Sequence, residues 1–299
     1  MKDLETGKKI CFVILHYNAI EATRKCIKSI MGLEGAKNIY IVVVDNASPN
    51  QTGRILWEDY RENENMAVII KESNDGFSVG NNEGCDYARR RWDPDFLVVT
   101  NNDIEFVQKD FAIRIQKEYA ENTFAVMGPD IYNPVRKIHQ SPIADKPPDK
   151  KRVNRTIFLN GMMLGVYPII YPFMKAYFRR QEHGTSAQGY QEYKENVCLM
   201  GACLIYSREY MDMRDKIFDP ETVFYYEENI QSLWCIHHKK KTIYQPKLTV
   251  MHFEGEATKT VSGQEKDRIR FRMKNILKAA KVYKRFLAEI EHEKEIGAD

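Results

Sequence analysis

Apolar and polar positions fall into blocks along the first 130 residues, and the blocks switch between two periods. Lys9 to Leu15 (KICFVIL) is an apolar run too short for a buried helix, and it stops at His16-Tyr17-Asn18. Glu21 to Met31 then has helical spacing, with Ala22, Cys26, Ile27 and Ile30 on one side. Ile39 to Val44 (IYIVVV) predicts a second buried strand, closed by the polar corner Asp45-Asn46-Ala47-Ser48-Pro49. A helix from near Asn50 is expected to carry Ile55 and Leu56 inward. Met66 to Ile70 predicts a third strand, Phe77 to Arg91 a third helix, and Phe96 to Val99 a fourth strand ending in Thr100-Asn101-Asn102-Asp103. Runs of β-branched residues without alternation suit strands covered on both faces. Strands taking turns with helices imply right-handed βαβ units and a mainly parallel α/β sheet flanked by helices.

The middle of the chain is less regular. Asn133 to Glu195 holds Pro134, Pro142, Pro147 and Pro148, a basic cluster from Lys150 to Arg155, and a weakly charged stretch from Thr156 to Phe178. It reads as an irregular insertion over the face where the strands end. Pro168 and Pro172 disfavour a spanning helix but leave a hydrophobic lid or membrane-facing patch open. Val197 to Tyr206 predicts a strand, Phe224-Tyr225-Tyr226 an aromatic strand, and Glu228 to His237 a helix. Thr242 to Tyr244 and Leu248 to His252 predict two short strands.

Glu265 to Glu295 reads as one long helix. Ile269, Met273, Ile276, Ala280, Tyr283, Leu287 and Ile290 recur at alternating steps of four and three, a seven-residue seam. Between Lys266 and Arg285 stand nine Lys or Arg and a single acid, Asp267. Such a helix can pack its seam on the chain's own body, pair with a second copy, or lie near anionic lipid. The expected division is therefore one domain over 1–260 and an amphipathic extension over 261–299.

Composition narrows the class. The 299 residues are 43% hydrophobic and 29% charged, an ordinary globular balance. A net charge of only +3 gives no support to nucleic-acid binding. Six cysteines without a CxxC pair, mostly in apolar runs, read as reduced buried thiols of a cytoplasmic protein. The polar opening predicts no secretory leader.

Candidate chemistry gathers at the strand ends. In an open parallel sheet, ligands bind beyond the carboxyl ends of the strands. Four such ends are polar here: His16-Tyr17-Asn18, Asp45-Asn46, Ser73-Asn74-Asp75-Gly76 and Asn101-Asn102-Asp103. Any one could be turn chemistry, but together they define a polar crevice. No GxGxxG follows the first strand and no Walker A motif occurs, which disfavours a nicotinamide cofactor and a P-loop nucleotidase. Gly76, Gly80 and Gly84 share one helix face, where small side chains permit close approach of ligand or backbone.

HYNAIEATRKCIKSI, VVVDNASPN, SNDGFSVGNNEG and LVVTNNDIEF, in that order, resemble family 2 glycosyltransferases of the GT-A (Rossmann-like) fold. The nearest likeness is to rhamnosyltransferase-like members that build bacterial surface polysaccharides. It continues through GACLIYSRE (201–209), FDPETVFYYEEN (218–229) and VMHFEG (250–255). The resemblance implies that Tyr17, Asn18 and Asp45 contact the nucleoside, and that Asn74, Gly76 and Asn82 line the base and sugar pocket. Asn101-Asn102-Asp103 stands where the family has its DxD-type motif, leaving Asp103 to bind Mg²⁺ or Mn²⁺ with Asn102 beside it. His252 matches a histidine that can complete the metal site. The family's acid pair falls on Glu227-Glu228, with Glu228 as base; a helix N-terminus favours carboxylates in any case. Relatives carry a further acid and an Arg on this helix, where Ile230, Gln231, Trp234 and His237 stand here.

The expectation is an inverting, metal-dependent transferase moving a hexosyl or rhamnosyl group. The donor would be a UDP- or dTDP-sugar and the acceptor a glycan, lipid-linked and met at the inner face of the cell membrane. The rivals are a catalytically degenerate GT-A module that only binds, and a nucleotidyltransferase, which would need a glycine-rich activating loop that HYNAIEATRK lacks.

Overall fold

β1 (Ile10–His16), β2 (Ile39–Asp45), β3 (Met66–Ile70) and β4 (Phe96–Asn101) run parallel in the order β3-β2-β1-β4. They are joined in turn by α1 (Ile20–Met31), α2 (Thr52–Tyr60) and α3 (Phe77–Trp92). These elements come from a computed structural model, which describes residues 7–182, 185–254 and 265–296. Every strand but β3 is almost wholly buried, and alternate residues feed two cores. Phe12, Ile14, Ile41 and Val43 pack with Cys26, Ile27, Ile30 and Leu56 on one face. Cys11, Val13, Val42 and Val44 pack with Cys85, Ala88 and Trp92 on the other. Coverage on both faces is why these strands read as unbroken apolar runs. Leu56 is buried as expected, whereas Ile55 is exposed, because adjacent residues on a helix point in different directions and only Leu56 faces the sheet.

The second half of the sheet carries β5 (Ile104–Glu105), α4 (Phe111–Glu121), β6 (Val126–Asn133) and β7 (Ile138–His139). Two helices follow, α5 (Lys150–Gly165) and α6 (Tyr167–Glu182), then β8 (Lys194–Glu195) and β9 (Cys203–Ser207). α7 (Arg208–Met213), α8 (Glu227–His237), β10 (Thr242–His252) and α9 (Glu265–Ile296) complete the described chain. β9 enters antiparallel between β4 and β6, and β10 lies parallel to β6. The long strands are therefore parallel except for β9.

Several expectations are revised. The 133–195 segment is not irregular: it folds as two short strands and two helices. The apolar run from 197 is strand only from Cys203, because Gly201 and Ala202 form a turn beside β4. Phe224-Tyr225-Tyr226 is no strand, since Tyr225 (φ 74°) and Tyr226 (φ 69°) both take left-handed backbone. The two late strands are one, kinked between Gln245 and Thr249. Sequence pattern alone passed over α4 and β6. All six cysteines are buried and free.

The seam of α9 docks on the chain's own body. Ala280, Val282 and Tyr283 pack with Val153 of α5 and Ile230 of α8. Ile269 and Met273 pack with Tyr167 and Met174 of α6. The Tyr283 hydroxyl donates to Pro148 O at 2.8 Å. Much of that face is therefore covered within the chain. Gly255, residues 261–264 and residues 297–299, to which parts of the expectations referred, lie outside the described residues.

Candidate active site

Strand register brings Asp103 and His252 together. β5 starts immediately after Asp103 and pairs antiparallel with the end of β10, setting Ile104 opposite His252. The Phe253 N–H donates to Asp103 O at 2.9 Å, extending the ladder one step. The two side chains emerge side by side, both buried, with His252 Nε2 3.2 Å from Asp103 Oδ1. The approach lacks hydrogen-bond alignment, and Asp103 Oδ1 is a buried oxygen without a protein donor. An acid oxygen in that state is costly unless something else satisfies it. His252 Nδ1 is engaged on its far side by Gln140 Oε1 at 2.7 Å, and Gln140 Nε2 donates to Glu254 Oε2 at 3.1 Å.

The acid pair lies at the same end of the sheet. Because β9 is antiparallel to β4, its entry turn abuts the exit of β4, and the Asn101 N–H donates to Ala202 O at 2.8 Å. Gly201, next in that turn, donates its N–H to Glu228 Oε1 at 3.2 Å. A Cβ on Gly201 would stand 2.4 Å from the same oxygen, so only glycine admits the carboxylate there. Tyr225 and Tyr226, in left-handed backbone uncommon for bulky residues, aim the chain into α8 with Glu227 and Glu228 in its first turn. Glu227 is buried with Oε1 unpartnered, and Glu228 is half-buried. Burial raises the Glu228 carboxyl above the usual range. Burial raises Glu227 well above it, and repulsion from Glu228 adds to that.

The remaining strand ends lie at the same end of the sheet. Asn18 adopts φ 61° and leaves a buried Oδ1 without a donor, as do Asn46 and Asn81. Tyr17 is half-buried, with its carbonyl accepting from Ala19 N–H at 2.7 Å. Asn46 Nδ2 donates to Asn74 Oδ1 at 2.9 Å and to Gly76 O at 3.1 Å, tying the β2 exit to the loop before α3. Gly76 needs to be glycine: its φ is 90°, and a Cβ would stand 2.9 Å from Val223 O. Asp45 is turned inward and accepts from the Ser48 hydroxyl and N–H; burial raises its carboxyl, and those bonds pull it back down.

Two of the singled-out amides hold the framework. Asn82 exchanges both its amide bonds with the Phe218 backbone, at 2.9 Å each. Asn102 Nδ2 donates to Thr23 Oγ1 at 3.0 Å, binding the β4 exit to α1. His16 is fully buried between Thr23 Oγ1 (2.7 Å) and Thr52 Oγ1 (2.8 Å), and desolvation lowers its pKa to about 4. It is therefore neutral. Gly80 and Gly84 press against Leu15, Val13 and Val44, so they seat α3 on the sheet.

The helix α8 departs from phosphate-gripping chemistry in its second half. Trp234 is buried and stacked on His238 at 4.1 Å, with Arg214 over its ring at 5.3 Å. His237 meets Glu293 at 2.8 Å, Lys240 meets Glu209, and Lys241 meets Glu195. Lys240 and Lys241 of the basic run after α8 are thus engaged by acids of the same chain. Gln140 and Glu254, which buttress His252, were not singled out from sequence; the spacing of Glu254 two residues beyond His252 was the available hint.

As a whole, the arrangement offers a buried acid–imidazole pair, a second acid pair with raised carboxyls, and unpartnered amide oxygens at one end of the sheet. A family model described as Glycosyl transferase family 2 matches residues 11–212, stopping short of Glu227 and His252. No curated protein matches. Residues 1–349 of S. aureus TarS superpose with a TM-score of 0.53 at 15% identity, covering 90% of this chain and 71% of that one. Mannosyltransferase PcManGT from Pyrobaculum calidifontis, solved with GDP-Man and Mn²⁺, superposes at 0.55 and 12% identity, covering 99% and 76%. GalNAc-T7, solved with UDP, GalNAc and Mn²⁺, superposes at 0.55 and 13% identity, covering 83% and 44%. At these identities the likeness extends to the fold alone.

Proposed function

The chain belongs to glycosyl transferase family 2, and on that premise we propose that it is an inverting, metal-dependent hexosyl- or rhamnosyltransferase. The donor is a UDP- or dTDP-sugar and the acceptor a glycan of cell-surface polysaccharide synthesis. One observation supports this above the others: Asp103 with His252, and Glu228, stand at one end of one sheet, linked through Asn101, Ala202 and Gly201.

The Asp103–His252 pair suits a divalent cation. A buried, unpartnered carboxylate oxygen lies beside an imidazole nitrogen whose opposite nitrogen is already engaged. Among the described residues no third His, Cys, Asp or Glu joins them, so a cation there would need oxygen ligands from the donor or from water as well. Asp103 and His252 would hold the Mg²⁺ or Mn²⁺, which when bound would supply positive charge against a departing nucleoside diphosphate. Tyr17, Asn18 and Asp45 flank the nucleoside, and Asn74 and Gly76 the base and sugar. Asn82 and Asn102 hold the walls of the crevice behind them.

Glu228 takes the proton from the attacking acceptor hydroxyl. Its Oε1 is held by Gly201 N–H, which leaves Oε2 to receive it. Burial keeps the Glu228 carboxyl raised towards the pH at which a base is both free and strong enough to act, and the Glu228 charge adds to the rise of Glu227 beside it. Release of nucleoside diphosphate from a panel of donors, with and without Mn²⁺, tests the whole proposal. No release with any UDP- or dTDP-sugar would favour the alternative, a module that binds without turnover; Asn101 in place of the first motif acid is what supports that alternative.

A lipid-linked acceptor fits the surface. Residues 156–174 contain no charged side chain, and 150–181 contain no acid. Among the described residues no single helix is long and apolar enough to cross a membrane; α5 and the start of α6 meet at 117°. Around that bend Phe158, Ile169 and Phe173 are 68%, 77% and 77% exposed. Lys266 and Arg270 of α9 lie over the Tyr171 and Tyr167 rings beside it. An apolar knuckle rimmed by cations suits the headgroup region of an anionic bilayer, at the inner face of the cell membrane. Flotation with phosphatidylglycerol vesicles is expected, and Ile169→Asp with Phe173→Asp is expected to abolish it. Failure of the wild type to float at low salt removes this part of the proposal.

A further inference from the structure

We propose that Glu254, acting through Gln140, fixes which ring nitrogen of His252 carries its proton and so keeps Nε2 bare towards Asp103. This rests on the reading of His252 as a metal-facing residue, but its first consequence is observable without metal.

The deduction starts at Glu254. Its carboxylate can only accept hydrogen bonds, and its Oε2 is approached by Gln140 Nε2 (3.1 Å), Asn133 Nδ2 (3.4 Å) and Arg136 Nη1 (3.2 Å). The atom of Gln140 that faces Glu254 must therefore be the amide nitrogen, whatever ambiguity an isolated amide would carry. The amide oxygen is then the atom 2.7 Å from His252 Nδ1. A carbonyl oxygen accepts, so Nδ1 carries the hydrogen. In the neutral imidazole Nε2 is left with its lone pair, and Nε2 is the nitrogen 3.2 Å from Asp103 Oδ1.

The same deduction agrees with Asp103 Oδ1 having no hydrogen-bond donor. With no hydrogen on Nε2, neither atom donates, and two lone-pair atoms face a shared space. Asn133 is itself pinned, since its Oδ1 accepts from Val135 N–H (3.0 Å) and Arg136 N–H (2.9 Å). The relay is therefore anchored in the turn after β6, and Gln140 and Glu254 are positioning residues that act on His252. A free imidazole in water prefers the hydrogen on Nε2, so the protein imposes the opposite tautomer here.

Long-range ¹H–¹⁵N spectra of the metal-free protein report the tautomer of His252, assigned by its loss in His252→Ala. The wild type is expected to show Nδ1–H. Gln140→Leu is expected to move the hydrogen to Nε2 and to weaken Mn²⁺ binding, followed by the free-ion EPR signal, by about 10- to 100-fold. Gln140→Glu, which keeps an acceptor on Nδ1, is expected to retain Nδ1–H and guards against misreading a folding defect. A wild-type Nε2–H tautomer, or a Gln140→Leu variant unchanged in both readouts, overturns the proposal. A wild type with Nδ1–H that binds no Mn²⁺ upholds the relay and removes the metal from the proposed function.

Discussion

His252 Nε2 lies 3.2 Å from Asp103 Oδ1, and the two are neighbours because the two-residue strand β5 pairs with the last residues of β10. Neither side chain could reach the other without that pairing. A carboxylate left without a donor beside an imidazole is unfavourable in the free protein and becomes favourable when a cation is shared.

Asp103→Asn is expected to lower Mn²⁺ affinity by more than about 100-fold, beyond what loss of an outer-shell residue costs. The fold should remain intact, because Asp103 Oδ1 accepts no hydrogen bond that the substitution could remove. Mn²⁺ titration of nucleotide release, alongside a melting curve, checks both halves.

Glu228→Gln is expected to lower kcat by about 10²- to 10⁴-fold, the usual worth of a positioned general base. The melting shift produced by the donor and Mn²⁺ should persist, since binding to the folded state is untouched. Near-normal turnover by this variant would place the base elsewhere.

The pH dependence has opposite signs for stability and for rate. Both carboxyls of the pair are raised in the folded state. A raised carboxyl favours the fold most below its unfolded value, about 4.3, and that contribution is lost as pH rises through the folded value. Stability is therefore expected to decline from about pH 4.5 upward through that window, and Glu227→Gln to flatten the decline and raise Tm near neutrality. The rate should rise over the same window as the base deprotonates, with apparent values that belong to the pair. Thermal melts and kcat/KM across pH measure the two; a stability that rises through the window contradicts the assignment.

Tyr283→Ala is expected to destabilise by about 3 kcal/mol or more, through the lost ring and the broken bond to Pro148. The Tyr283 ring also packs at 5.4 Å from Tyr226, which enters the helix of the acid pair. Loss of turnover at temperatures well below the melt would show that α9 supports the site as well as the fold. Proteolysis within α9 would report its undocking.

Much of this protein was legible in its residues because the relevant forces are local. Strands buried on both faces must be apolar at every position, so Cys11 to Leu15 and Ile41 to Val44 declared themselves. The order of the polar strand ends carried the family resemblance, and the seven-residue seam marked a helix with one face to cover, leaving open what would cover it. What lay beyond reach depended on strands far apart in the chain meeting. Insertion of β9 antiparallel brings Gly201 to Glu228, and pairing of β5 with β10 brings Asp103 to His252. Whether an asparagine keeps a free amide oxygen or braces the framework was likewise undecidable from composition. Asn82 and Asn102 have the same chemistry as Asn18 and Asn46, and only their neighbours in space determine which of their hydrogen bonds are already spent.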